Sequence, residues 1–495
     1  MDMKWFEDMD AKIPRGEVRS RFAPSPTGYM HVGNLRTALY TYLIAKKYKG
    51  KFILRIEDTD QDRLVEGATE LIYKTLNDCR LVYDEGPDIG GPTGPYIQTE
   101  RREIYGKYAE LLLEKGKAYR CFCEKSDAEE GEDFAKIDDP CRSLSEEDVE
   151  KKLNSGTSFV VRQKIPRDGS TTFHDEVFGD ITVTNDSLDD NVLIKSDGLP
   201  TYNFANVIDD HLMGITHVVR GSEYLASSPK YNLLYEGFGW EIPKYLHCAP
   251  VMRDHKNKMS KRYGDPSYED LLVDGYISEA IINYIALLGW SPGGEQEMFS
   301  LEELSEAFAI EGISKSPAIF DIEKLTYFNA EYIRAMTAEK FMQIAEPYIR
   351  QSVESAAIDI NELAPILQPR CERLTDIPDK IDFFEALPEY EIDLYTNKKS
   401  KTDPAISLQM LKVALEALAK IDNWTDEDIH SVLISTAGNL GVKNATVMWP
   451  VRIAVAGKQV TPGGAVEICK ILGRAETTNR IKLAIEKLDK HTSKN

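Results

Sequence analysis

The sequence has no long hydrophobic run. No stretch approaches the ~20 unbroken apolar residues of a membrane-spanning helix, so no membrane partner is expected. The first residues, MDMKWFEDMDAK, are acidic and carry no apolar core, so a signal peptide is not expected, nor an Arg-rich transit peptide. Cysteine is sparse, seven in 495 residues. That gives no disulfide framework and fits a reducing cytoplasmic location. Positive charge is in deficit: 60 Lys and Arg against 82 Asp and Glu, a net −22. A protein that coats nucleic acid non-specifically is thereby disfavoured, although a specific RNA enzyme with local basic patches is not. There is no Walker-type G-x-x-x-x-G-K-[ST], no internal repeat and no low-complexity tract.

The chain does hold ample apolar material, 42% of residues, and its length suggests about three domains. Residues 17–57 predict a strand (EVRSRFA), a glycine-bearing turn, a helix with Leu35, Leu39, Tyr42 and Leu43 on one face, and a second strand (KFILRI). Gly50 is read as the helix C-cap. Strand, turn, helix, strand is the opening of an α/β fold with a doubly wound parallel sheet, whose ligands bind beyond the carboxyl ends of the strands. Residues 98–198 change character to α+β and read as an insertion. GITHVVRG and the helical stretch after it resume the sheet. From about residue 266 helical periodicity dominates, with prolines predicted to cut it into short helices.

Two stretches carry chemistry. In RFAPSPTGYMHVG, residues 21–33, Pro24 and Pro26 stiffen the chain and Gly33 allows a ligand close approach. The helix expected from Asn34 aims free N–H groups and its positive dipole end at the same place, and His31 can donate to a phosphate oxygen there. The same residues would also serve as a plain capped turn. In VMRDHKNKMSKRYGD, Arg253, Lys256, Lys258, Lys261 and Arg262 cluster against Asp254. Such a run is either solvated surface or a basic loop that neutralises charge on a leaving pyrophosphate.

HVGN (His31 to Asn34) followed far downstream by KMSKR (Lys258 to Arg262) resembles the paired signature of class I aminoacyl-tRNA synthetases. RFAPSPTGYMHVGNLRTAL, FILRIEDTDQDR, DEGPDIGGPTGPYIQTER, SDGLPTYNFANVIDDHLMGITHVVRGSEYLASSP and KMSKR stand in the order of bacterial glutamyl-tRNA synthetases, from about residue 19 to 262. The resemblance implies a Rossmann-like parallel sheet with an α+β insertion, then an all-helical anticodon-binding domain. It implies a glutamate–tRNA ligase that forms glutamyl-adenylate from ATP, with Mg²⁺, and passes the acyl group to the 3′-terminal adenosine of tRNA(Glu). Arg21 and Arg220 would take the substrate's side-chain carboxylate and Glu57 its ammonium. Ala23, Ser25, Tyr202 and Asn206 would shape the pocket, although Tyr202 and Asn206 also read as core or turn residues. ATP would lie on His31, Gly33 and Asn34, with Glu223, Lys258 and Lys261 closing over it; His31, Lys258 and Lys261 would stabilise charge on the phosphates.

The implied division is a split catalytic domain at 1–97 and 199–255, an acceptor-end insertion at 98–198, a stem-contact region at 256–330 and an anticodon domain at 331–495. In the last, Arg370 either reads an anticodon base or makes a surface salt bridge. Cys121, Cys123 and Cys141 resemble a zinc site of some relatives, with Ser143 where the fourth ligand would stand. Three thiols leave it incomplete, metal-free, or completed by an Asp or water. A monomer is implied. Rivals are a non-discriminating form that also charges tRNA(Gln), a catalytically silent tRNA-binding paralogue, and a small-molecule nucleotidyltransferase. The last would have no use for the helical C-terminal half, and a silent paralogue usually loses the His or the lysines.

Overall fold

The computed structural model describes residues 3–123, 139–259 and 264–492. The chain forms two compact units, Met1–Leu272 with Ser278–Asp321, and Val273–Ile277 with Ile322–Asn495. Among the described residues no helix is long and apolar enough to cross a membrane.

The first unit opens with helix α1 (Met3–Asp10), strand β1 (Arg19–Phe22), helix α2 (Val32–Lys47) and strand β2 (Lys51–Leu54). β1 and β2 pair in parallel, Arg19 opposite Lys51 and Phe22 opposite Leu54, which is the βαβ unit the sequence predicts. Helix α2 starts two residues ahead of the expected Asn34, because His31 is its N-cap. Its C-terminus also differs from expectation. Lys49, not Gly50, takes the left-handed conformation (φ 53). Lys49 N donates to Lys46 O at 3.0 Å and Gly50 N to Ala45 O at 2.8 Å, the paired bonds of a Schellman ending. Gly50 is required for space instead, since a Cβ there would lie 2.0 Å from the Val18 carbonyl oxygen.

The chain continues through α3 (Ala68–Asp78), α4 (Arg102–Glu114), β3 (Ala118–Cys121), α5 (Glu146–Asn154), β4 (Val160–Gln163), β5 (Ser170–Asp175), β6 (Gly179–Thr184) and β7 (Val192–Ile194). Then come α6 (Tyr202–Leu212), β8 (His217–Gly221), α7 (Ser228–Phe238) and β9 (Lys244–Cys248). The main sheet has six strands in the order β2-β1-β8-β9-β5-β6. All neighbours are parallel except the β5–β6 hairpin. β1 and β8 are buried along nearly their whole length, as strands covered on both faces must be. β5 alternates exposed and buried residues, as one covered on a single face does.

The topology adds one feature to the expected insertion at 98–198: its β5–β6 hairpin extends the edge of the main sheet beside β9, while β3, β4 and β7 form a separate antiparallel sheet. A hairpin's period-two pattern reveals which face is covered but not which sheet it joins. Because β2 lies on one side of β1 and β8 and β9 on the other, the strand order reverses between β1 and β8. A crevice beyond the carboxyl ends of those two strands follows.

The second unit is helical, with helices Ile322–Ala335, Ala338–Ile349, Pro404–Leu418, Asp426–Asn439 and Asn444–Ala456, then Ala465–Thr492 kinked at Gly473. Pro365, Pro369 and Pro378 start short helical turns and Pro404 a long helix. Pro347 and Pro450, however, lie inside helices, contrary to the expectation that they break them.

G50A should destabilise the first unit by about 1–3 kcal/mol or more, because the added methyl meets backbone rather than a movable side chain. Urea unfolding followed by tryptophan fluorescence would show a lower midpoint; an unchanged midpoint would mean that β1 and α2 can separate without cost.

Candidate active site

A cavity of about 520 Å³ lies at this crevice. Its wall takes Arg21, Ala23 and Ser25 from the end of β1, His31, Gly33 and Asn34 from the start of α2, and Glu57 from just past β2. Tyr202 enters from the start of α6, Arg220 and Glu223 from the end of β8, and Lys258 from the loop after β9. The remaining expected residues do not appear on this wall among the described residues. Asn206 is buried behind Tyr202, its Nδ2 donating to the Tyr202 carbonyl at 2.6 Å. Arg370 lies in the second unit, exposed, with Nη1 on the Ile366 carbonyl at 3.4 Å; among the described residues it pairs with no carboxylate. Lys261, with Arg262, lies outside the described residues.

One end of the cavity rests on buried charge. Asp210 Oδ1 accepts from Arg21 Nε at 2.9 Å and from Arg55 Nη1 at 2.7 Å. Burial pushes the Asp210 carboxyl up, but the two guanidiniums outweigh it and hold it below the usual range. Arg55 turns its other edge to Glu57 Oε1, at 2.8 Å from Nη2 and 3.2 Å from Nε. Gln98 Nε2 adds a third donor to that oxygen at 3.4 Å. Oε2 of Glu57 accepts no hydrogen bond among the described residues. Burial pushes the Glu57 carboxyl up, with Arg55 and Arg21 pulling part of the way back. A cation in the cavity would keep it ionised.

Arg220 stands in contrast. It is 5% exposed, and among the described residues no carboxylate lies within ion-pair distance of it. Its guanidinium sits 4.6 Å from the centre of the Tyr231 ring and 5.3 Å from those of Tyr224 and Tyr245. A buried guanidinium lined by aromatic rings favours an anionic, planar ligand.

The other end suits phosphate. His31 Nδ1 accepts from Gly33 N at 3.0 Å, so a neutral imidazole here carries its proton on Nε2. Behind it run the free amides and the positive end of α2. The glycine matters: a Cβ on Gly33 would crowd His31 Nδ1 at 3.2 Å. Across the cavity, Asp254 builds the turn that delivers Lys258. Its Oδ1 accepts from Lys256 N at 2.8 Å and Asn257 N at 2.9 Å, and the Asn257 side chain adds a bond of 2.9 Å to Oδ2. These bonds, led by that of the Asn257 side chain, lower the Asp254 pKa to about 2. Asp254 therefore stays ionised, shaping the turn through these bonds while its charge faces Arg253 Nε at 3.8 Å.

A separate cluster brings Cys121, Cys123, Cys141 and Asp139 together, one ligand atom from each lying within 4.8 Å of all the others. Cys123 and Cys141 Sγ are 3.6 Å apart, close to the S···S separation of about 3.8 Å that tetrahedral zinc–thiolate bonds of ~2.3 Å would set. The fourth group of this cluster is Asp139; Ser143 is not part of it, its Oγ being exposed and turned to the Pro140 carbonyl at 3.4 Å.

Arg55, Asp209 and Asp210 were missed from sequence. The signal was there: Arg55 and Glu57 are charges in a buried apolar run, and Asp209–Asp210 interrupt an otherwise apolar helix face. Their pairing spans more than a hundred residues, Arg55 to Asp210 being 155 apart, and no local pattern encodes it.

D210N should cost about 3–5 kcal/mol at pH 7, since it leaves two buried guanidiniums facing a neutral group. The wild-type contribution is fully present above the unfolded Asp pKa of about 3.9 and is lost as pH falls through the lower folded value. Denaturation at pH 7 and pH 3 would show a smaller gap between the two proteins at pH 3; an equal gap would contradict the pairing.

The comparisons agree with this geometry. Residues 17–327 match the family of class I tRNA synthetases (E and Q), catalytic domain. Residues 338–485 match an anticodon binding domain. The chain is 57% identical over 479 residues to a glutamate–tRNA ligase of Clostridium botulinum, covering 95% of this chain and 99% of that one. It is 56% identical to that of Clostridium tetani, over 95% of this chain and 98% of that one. A crystal structure of a glutamate tRNA ligase from Elizabethkingia meningosepticum, in complex with its amino acid, superposes with a TM-score of 0.86 at 35% identity, covering 96% of this chain and all of that one. With its Rossmann-like sheet, its switch-point cavity and its helical second unit, the chain belongs to the glutamate–tRNA ligases of the class I aminoacyl-tRNA synthetases.

Proposed function

We propose that this cavity joins L-glutamate to the terminal adenosine of its tRNA in two steps. The observation that carries the reading is Arg220, a buried guanidinium without a carboxylate partner among the described residues, on the same wall as Glu57 with its unused Oε2. A substrate with a second carboxylate supplies the anion Arg220 needs, and its ammonium supplies the cation Glu57 needs. Arg21, already fixed by Asp210, presents its remaining edge to the same carboxylate. Ala23, Ser25 and Tyr202 bound the space, and Asn206 acts from behind by holding the Tyr202 backbone.

ATP and its Mg²⁺ enter as substrate at the opposite end. His31 donates from Nε2 to a phosphate oxygen; Gly33, its amide held by His31 Nδ1, gives the chain close approach, and the helix start at Asn34 faces it. Glu223 flanks the nucleotide, its carboxylate folded back over Gly221. The glutamate α-carboxylate attacks the α-phosphorus, the bond to the bridging oxygen breaks, and pyrophosphate leaves. Lys258, and Lys261 from the same loop, balance the negative charge that collects on it. A ribose hydroxyl of the tRNA end then attacks the acyl carbon and AMP leaves. No enzyme nucleophile is needed. Arg370 is proposed to contact the anticodon. We also propose that Cys121, Cys123, Cys141 and Asp139 hold one zinc ion that braces the β3 end structurally.

Charging of purified tRNA(Glu) with labelled glutamate tests the reading. R220K should lower kcat/KM for glutamate about a hundredfold, because an ammonium cannot replace the fork; K258A should lower kcat while leaving the glutamate KM near wild type. Charging by both variants equal to wild type would remove the roles given to Arg220 and Lys258, and no charging by wild type would remove the enzymatic reading. Charging of tRNA(Gln) alongside would identify the non-discriminating form. For the metal, elemental analysis of protein purified without chelator should give about one zinc per chain. D139A and C123S should fall well below that, and a metal-free wild type would leave the cluster as reduced thiols.

A further inference from the structure

Behind Arg220, on the side away from the cavity, lies a buried acid–imidazole pair that the chemistry above does not use. His247, at register opposite Arg220 on the neighbouring strand β9, is fully buried, as is Asp175 at the end of β5. His247 Nδ1 is 2.6 Å from Asp175 Oδ2, and the same oxygen accepts from the His247 backbone N at 3.1 Å. Asp175 Oδ1 is itself fixed by the amides of Val177 at 3.0 Å and Phe178 at 2.8 Å. On the other side of the ring, Arg220 Nε donates to His247 Nε2 at 3.2 Å. Arg220 Nη2 donates to Ser228 Oγ at 3.2 Å, and Ser228 donates onward to the Tyr224 carbonyl at 2.9 Å.

The donors and acceptors leave one consistent arrangement. Asp175 accepts from three backbone amides, so its oxygens are acceptors and Nδ1 carries the imidazole proton. Arg220 can only donate, so Nε2 must be the lone-pair side. The imidazole is therefore neutral, and a second proton would set two donors against each other beside a guanidinium. The environment works the same way: burial lowers the His247 pKa, Asp175 opposes that, and Arg220 adds to it, with a net shift downward. The groups facing the ring are Asp175, Arg220 and Ser228, with Glu223 acting at longer range.

We infer that the Asp175–His247 pair is a positioning device for the specificity arginine. It occupies the Nε–H edge of Arg220, so that the terminal edge, with Nη1 unbonded among the described residues, is the edge offered to the substrate's side-chain carboxylate. It also selects against an amide. An arginine free to swivel could meet a glutamine carbonyl with one N–H, whereas one fixed at Nε presents two parallel donors, which match only a carboxylate. This inference rests on the reading of Arg220 as the carboxylate-binding residue.

The test is steady-state charging of tRNA(Glu) by wild type, H247N, H247Q and R220K, with KM for glutamate and for ATP measured separately and glutamine tested as a competitor. Asn keeps a donor near the Nδ1 position but loses the acceptor facing Arg220; Gln restores an acceptor near the Nε2 position. H247N should raise the glutamate KM about ten- to a hundredfold, leave the ATP KM within about twofold, and let glutamine compete better. H247Q should recover most of the loss. R220K separates the two levels of the argument. If R220K raises the glutamate KM and H247N does not, the positioning role is overturned while the carboxylate reading stands. If neither variant changes it, both are overturned. If H247N raises both KM values together with a lower melting temperature and H247Q rescues neither, His247 is merely structural and the inference is again overturned.

Discussion

Asp210 is a carboxylate shielded from water and shared by two guanidiniums, Arg21 on β1 and Arg55 just past β2. Arg21 has Asp210 as its one carboxylate partner among the described residues, and a lone buried cation costs several kcal/mol; Arg55 divides its charge among Asp210, Glu57 and Asp209. The three residues come from two parallel strands and a helix, so the contact locks together the elements that form the crevice. Arg55 carries the lock onward to Glu57, and Asp209 extends it to Arg101 Nε at 2.6 Å. The result is a rigid floor in which each charge has a partner. Against that floor, Arg220 is the exception, a buried guanidinium with no carboxylate within ion-pair distance among the described residues.

The β5–β6 hairpin acquires a purpose in this light. Its strands are absent from the minimal βαβ plan, yet they complete the main sheet. By pairing with β9 they bring Asp175 to His247, and His247 to Arg220. Chain that departs from the sheet at β3 thus returns to support the residue that would choose the substrate. The phosphate end needs less support. A capped helix N-terminus, one imidazole and an Asx-built turn carrying Lys258 are local devices, each encoded within a few residues.

That difference explains what the sequence made legible. The βαβ opening and the gathering of His31, Gly33 and Asn34 at the carboxyl end of β1 could be read, since proline, glycine and histidine at the mouth of a helical run mean much the same wherever they occur. The charge floor could not, because Arg55 and Asp210 meet only through tertiary packing. Gly50 was recognised as special but for the wrong reason: the constraint is the Val18 carbonyl from a neighbouring segment, not the helix end. The sequence pattern puts Asn206 one helical turn from Tyr202, and only the fold shows its side chain donating to the Tyr202 carbonyl. Asp139 lay two residues before Cys141, on the opposite side from Ser143, and only the folded turn reveals that it faces the thiols.

The central claim is that an arginine held without a counter-ion on a fully paired charge floor selects a second carboxylate. Calorimetric titration of the full-length protein with L-glutamate and with L-glutamine, in the presence of its tRNA, tests it most directly. The account predicts glutamate binding at least about a hundredfold tighter than glutamine, the measure of a buried charge left unpaired by the amide. Equal affinity for the two would contradict it.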